Sequence, residues 1–219
     1  MTIYTFGDSW GYGAELKTGE IPFGQIIANK LNILHVNYAV PGISLGNINF
    51  KLFELQHRIK KEDIVLIVIP PDTRWYGMRE NGHFKTITMD RNNDEWNSVV
   101  GDKPLQWFEK HHLYFVFAMQ ELLKRKGCKF MFMCNYGKLN TNLAYGTLID
   151  TDTILSDKSL SELLTGTLIY KLSKLFDGPF VDEFSGKYFE GTTSHPNQLG
   201  HYRIAELIND KMKLYDTNE

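Results

Sequence analysis

Cysteine is scarce: the 219 residues contain two, Cys128 and Cys134. They flank the apolar residues Phe130 to Met133, so the sequence predicts buried thiols rather than a disulfide framework. Neither sign of charge is in excess, with 24 Lys plus Arg against 26 Asp plus Glu and a formal charge of −2. That balance lacks the basic footprint of phosphate binding and excludes nucleic acid as the main partner. Long hydrophobic runs are also missing. The longest, Ile64 to Ile69 and Leu113 to Met119, fall far short of the ~20 residues of a membrane span, so no membrane partner is expected. The N-terminus meets Gly7 without a basic or extended apolar region, which predicts a cytoplasmic protein lacking a signal peptide. Nucleotide-cradling glycine motifs do not occur. His111 and His112 are adjacent on a predicted helix and face different ways, and His195 and His201 straddle a helix start. Neither pair has metal-ligand spacing, and no cofactor is expected.

What remains is an ordinary globular composition, 42% hydrophobic and 23% charged. A chain of this length buries roughly 70% of its unfolded surface, so residues 1–219 are expected to fold as one domain without a staple. Thr2 to Phe6 reads as a strand ended by Gly7, and His35 to Val40 as a second, closed by Pro41-Gly42. Between them, residues 21–31 have helical spacing at Phe23, Ile26, Ile27 and Leu31. Leu45, Ile48, Leu52, Leu55 and Ile59 form the apolar stripe of another helix. Ile64 to Ile69 suits a strand covered on both faces and is halted by Pro70-Pro71. Residues 72–104 are polar and lack sustained periodicity, which predicts a long excursion.

Leu105 to Lys126 is a helix with a basic last turn and a glycine cap at Gly127. Lys129 to Cys134 is a buried strand, and residues 135–158 are irregular. A helix over Leu160 to Phe176, a short strand over Phe180 to Phe184 and a helix over Leu199 to Leu214 complete the chain. Alternating strands and helices predict an α/β class, a three-layer α/β/α sandwich around a mostly parallel, flavodoxin-like sheet of about five strands. Its ligand crevice lies beyond the carboxyl ends of the strands.

Two segments on that rim carry chemistry. Gly7-Asp8-Ser9-Trp10 follows the first strand, where a serine either projects its hydroxyl into the crevice or caps a helix. Ser194-His195-Pro196-Asn197-Gln198-Leu199-Gly200-His201 introduces the last helix, and Pro196 holds His195 in extended geometry at its mouth. Together they resemble the GDSL, or SGNH, hydrolase family from Gly7 to about Leu207. The resemblance implies Ser9 as nucleophile, His195 as base, and Gly42, in Asn37-Tyr38-Ala39-Val40-Pro41-Gly42, as an oxyanion-hole donor beside the Ser9 amide.

The pattern departs from the family twice. Pro70-Pro71-Asp72-Thr73-Arg74 replaces Gly-x-Asn-Asp after the third strand; ionised Asp72 would repel an oxyanion, leaving Thr73 or Arg74 as the third donor. Thr192 replaces the aspartate three residues before the histidine. A hydroxyl orients an imidazole but does little for an imidazolium. The base then works in a dyad, or recruits Asp182, Glu183 or Glu190. The resemblance implies a serine esterase acting on small acyl groups, such as acetyl on a carbohydrate, with no cofactor. The competing class is a catalytically degenerate carbohydrate-binding or structural protein of the same fold. A third reading takes Gly42-Ile43-Ser44-Leu45-Gly46 as an α/β-hydrolase elbow with Ser44 as nucleophile, against Ser44 as a helix N-cap. Trp75, Tyr76, Trp96 and Trp107, in or beside the excursion, either stack on substrate or anchor the loop.

Overall fold

A computed structural model describes residues 1–71, 74–78, 84–88, 105–135, 139, 148–158, 160–165, 176–177 and 195–215. Four parallel strands form its centre: β1 (Thr2–Phe6), β2 (Leu34–Asn37), β3 (Ile64–Ile69) and β6 (Lys129–Cys134). They lie in the order β2-β1-β3-β6. Ile154 adds a lone parallel bridge to Phe132 at the β6 edge. The strand reversal between β1 and β3 is the topological switch point, where open α/β sheets place their ligand crevice.

The side-chain period of two splits the strands between two cores. Tyr4, Phe6, Val65, Ile67, Ile69, Phe130 and Phe132 face one side, packed under α3 (Leu45–Leu55) and α4 (Leu105–Lys126). Ile3, Ile64, Leu66, Val68, Met131 and Met133 face the other, under α2 (Phe23–Leu31), α5 (Leu160–Thr165) and α6 (Gln198–Met212). All six residues of β3 are buried, as a central parallel strand requires. Helices on both faces make this the expected three-layer α/β/α arrangement.

Two helix boundaries follow their local signals. Gly127, at φ +68°, ends α4 after Lys124, Arg125 and Lys126. Asn197 caps α6, its side chain accepting the Gly200 N–H at 3.1 Å. At the amino end of the sheet, buried Asp63 accepts the Thr2 and Lys60 N–H groups at 2.8 Å each. Its own carbonyl accepts the Lys129 N–H, so one residue ties the starts of β1, β3 and β6.

The excursion after β3 is the main correction to the sequence reading. It contains an antiparallel hairpin, β4 (Arg74–Met78) with β5 (Phe84–Thr88). Trp75 holds β4 down. It is buried and packs its ring on Tyr76, Trp107, Phe108 and His111 at centroid distances of 4.7–5.5 Å. Trp75 and Trp107 are thus loop anchors, while Trp96 lies outside the described residues. The second strand, Leu34–Asn37, is shorter than expected, although its bonding to β1 continues past Asn37. The Tyr38 N–H donates to the Thr5 carbonyl and the Val40 N–H to the Gly7 carbonyl. The 180–184 strand, most of the 160–176 helix, Asp72, Thr73, Asp182, Glu183, Glu190 and Thr192 lie outside the described residues. Cys128 and Cys134 are free and buried, and burial pushes their thiols up to about 11 and about 12. Among the described residues no helix is long and apolar enough to cross a membrane.

Candidate active site

The turn after β1 is made by a glycine that no other residue replaces cheaply. Gly7 has φ +147°, and a Cβ there would lie 2.7 Å from the Val68 Cβ. Close passage over β3 aims Asp8 into the protein. Asp8 is fully buried and caps the short helix α1 (Ser9–Tyr12), its Oδ1 accepting the Trp10 N–H at 3.1 Å. Capping therefore falls to Asp8, not Ser9, and the Ser9 hydroxyl is left out of the cap. Ser9 is the first residue of α1 and largely buried.

Asp8 gathers the carboxyl ends of three strands. Its Oδ2 accepts from Arg74 Nη1 at 2.9 Å, just beyond β3, and from the side-chain amide of Asn135, just beyond β6. Burial pushes its carboxyl above the usual carboxylate range; the Trp10 N–H and the Arg74 guanidinium pull the other way. Asn37 ties in the fourth strand. Its side-chain amide donates to the Gly11 carbonyl at 3.0 Å, and its oxygen accepts the Ala39 N–H at 3.0 Å. The loop carrying Gly42 thus runs beside the Ser9 turn. Gly42 sits at φ +77° with open space where a Cβ would be, so the chain turns there without a side chain in the crevice.

His195 arrives from the far end of the chain. His195–Pro196 form β8, a two-residue strand paired with β7 (Phe176–Asp177) and lying against α1. Ser9 and His195 are therefore on touching elements. No hydrogen bond joins the Ser9 hydroxyl to the imidazole, which is common before substrate binds. The His195 side chain is 13% exposed, and its Nδ1 lies 3.3 Å from Glu15 Oε2. Sequence reasoning passed over Glu15; its one signal is structural, a φ of +70° at a non-glycine residue.

The neighbouring His201 is part of the scaffold. It is fully buried, its Nδ1 accepts the Phe23 N–H at 3.2 Å, and its ring stacks on Phe23. Burial, helped by His195, lowers it to about 4, so it is neutral. Ser44 is also structural. It is fully buried and caps α3, its hydroxyl accepting the Asn47 N–H at 3.3 Å. Among the described residues no cluster of His, Cys, Asp and Glu could hold a metal ion.

No family profile matches the sequence, and no curated protein does either. Solved structures match over nearly the whole chain. One is a member of the lipolytic protein G-D-S-L family from Veillonella parvula: 13% identity, 97% of this chain and 98% of that one, TM-score 0.52. Another is the lipase Lip_vut3 from a goat rumen metagenome: 15% identity, 98% of this chain and 100% of that one, TM-score 0.52. At such identities the likeness speaks to architecture alone, and the architecture is the α/β fold of the G-D-S-L, or SGNH, lipolytic hydrolases.

Proposed function

We propose that this protein is a serine hydrolase of carboxylic esters, with Ser9 as nucleophile and His195 as general base. The observation that carries the reading is the meeting of the β1 turn with the mouth of α6. Residues 186 positions apart in sequence are brought onto touching elements at the switch point of the sheet. His195 takes the Ser9 Oγ proton as the oxygen bonds to the carbonyl carbon. The oxyanion is held by the amides of Ser9 and Gly42 and a third donor from Thr73 or Arg74, of which Arg74 is anchored to Asp8 beside Ser9. The alcohol leaves with the proton from His195, and an acyl ester on Ser9 remains. Water, deprotonated by His195, then releases the acid and restores Ser9. A small acyl ester, such as an acetylated carbohydrate, is the substrate class to assay.

A fluorophosphonate probe tests the nucleophile. Wild type and Ser44→Ala should be labelled and Ser9→Ala should not. p-Nitrophenyl acetate should give a burst of p-nitrophenol that Ser9→Ala abolishes. Labelling lost in Ser44→Ala and kept in Ser9→Ala would move the chemistry to Ser44, and an unlabelled wild type would favour a non-catalytic binding protein.

A further inference from the structure

The base of such a site needs something to fix its tautomer, and Thr192 offers only a hydroxyl where a carboxylate is expected. We propose that Glu15 is the positioning carboxylate for His195, supplied from the loop after the nucleophile helix instead of from the histidine's own segment. The inference rests on the esterase reading and deepens it. Glu15 Oε2 is 3.3 Å from His195 Nδ1. That nitrogen is buried, and among the described residues it makes no aligned hydrogen bond. The Glu15 carboxylate lies within ion-pair reach of it. A carboxylate on Nδ1 holds the proton there and leaves the Nε2 lone pair to receive the serine proton.

Three further features belong to the same device. Glu15 sits at φ +70°, a left-handed conformation disfavoured for any residue with a Cβ. Such strain persists only where surrounding structure imposes it. The surroundings do so from both sides. The Gly13 and Ala14 N–H groups donate to the Ser9 carbonyl, fixing the loop to the nucleophile residue. Beyond Glu15, the Ile21 N–H donates to Gln198 Oε1 at 2.6 Å, and Gln198 Nε2 donates to the Ile21 carbonyl at 3.0 Å. The Phe23 N–H donates to His201, so the loop is clasped to the first turn of the helix that follows His195. One short segment, residues 9–23, thereby carries the nucleophile at one end and registers the base at the other. Finally, the reaction has a use for the charge: when Nε2 takes the Ser9 proton, the imidazolium forms beside a carboxylate, and the Nδ1 proton stays on the ring. The Glu15 side chain is 40% exposed, so substrate covering the crevice would strengthen the pair by excluding water.

The test compares wild type, Glu15→Gln, Glu15→Gly and Glu15→Asp. Imidazole nitrogen NMR should show His195 with its proton on Nδ1 in wild type and a mixed tautomer in Glu15→Gln. In p-nitrophenyl acetate hydrolysis, Glu15→Gln should lose on the order of 10²–10⁴-fold in kcat, as loss of an orienting acid does, with KM little changed. Glu15→Asp should recover part of the loss. Glu15→Gly should be as slow as Glu15→Gln yet melt about 2–4 °C higher, because the left-handed strain is relieved. A merely structural surface pair would not combine slower turnover with a raised Tm. If wild type turns over and both Glu15→Gln and Glu15→Gly stay within about threefold of it, Glu15 is overturned and the esterase reading stands. If wild type is inert toward ester and fluorophosphonate, the esterase reading fails. The tautomer measurement still decides the pair, and an unchanged tautomer in Glu15→Gln overturns it.

Discussion

Replacing Arg74 with methionine removes the full positive charge hydrogen-bonded to Asp8 while keeping an apolar stem of similar length. Asp8 has no exposed surface, and without Arg74 it retains two neutral donors, the Trp10 N–H and the Asn135 amide. Stripping one partner from a buried ion pair costs about 3–5 kcal/mol. Arg74 is 23% exposed, so water already screens part of the attraction, and ~2 kcal/mol is the expected loss at neutral pH. At about 2–4 °C per kcal/mol for a chain of this size, Tm should fall by ~4–8 °C.

The pH dependence identifies the cause. Burial already raises the Asp8 carboxyl in the folded protein, and losing Arg74 raises it further. An acid whose folded pKa exceeds its unfolded value binds more protons in the folded state, so stability falls as pH rises through that window. The deficit of Arg74→Met should be largest at neutral pH and shrink on acidification, as Asp8 takes up a proton. Urea unfolding followed by tryptophan fluorescence reads both. A deficit below ~0.5 kcal/mol, under the usual range of a charged hydrogen bond, or one that grows on acidification would refute the argument.

Two other expectations concern stability alone. His112 and His201 are buried and lowered to about 4, chiefly by burial. Both are neutral in the fold, whereas the unfolded chain protonates them below ~6.5. Their contribution is present above that pH and is lost as pH falls toward 4, by on the order of 1–2 kcal/mol each at pH 5. His112→Gln and His201→Gln should therefore each unfold less acid-sensitively than wild type in urea titrations at about pH 7 and about pH 5; variants as acid-sensitive as wild type would contradict this. Gly46 lies on α3 where a Cβ would overlap the Tyr76 ring. Gly46→Ala should lose ~1–3 kcal/mol by overpacking, with a tryptophan emission change from the displaced Trp75, and thermal melts indistinguishable from wild type would count against this contact.

Legibility in the sequence followed the range of the interactions. The α4 limits, Leu105 and Lys126, coincide with the expected ones because the signals are local: a basic turn, then a glycine able to take φ +68°. β3 and β6 were legible because parallel strands covered by helices on both faces carry unbroken apolar runs. The hairpin was not. Arg74-Trp75-Tyr76-Gly77-Met78 has no clean alternation, and Trp75 is held by rings from α4 rather than by any pattern in its own strand. Ser9, Gly42 and His195 could be named from motifs, but Asn135 and Glu15 could not be given partners. Asn135 meets Asp8 across 127 positions, and Glu15 meets His195 across the whole fold. The motif puts the acid near Thr192 because a motif is sequential, whereas the requirement is spatial.

The two ends of the sheet use a buried carboxylate differently, and the difference explains why one end can hold a site. Asp63 accepts backbone N–H groups and fixes strand starts, with the core strands close on either side. Nothing it binds can move without breaking the sheet. Asp8 also accepts one backbone N–H, but its other partners are side chains from the segments following β3 and β6. Those side chains project from beyond the carboxyl ends of the four parallel strands, and a central carboxylate holds them in register. The cost is a charge buried where it is unfavourable, which Arg74 and the Asn135 amide offset. Substitutions around Asp63 should therefore act on stability with little effect on any ester turnover. Those around Asp8 should act on both, because the residue that orders the crevice is also the residue preceding Ser9.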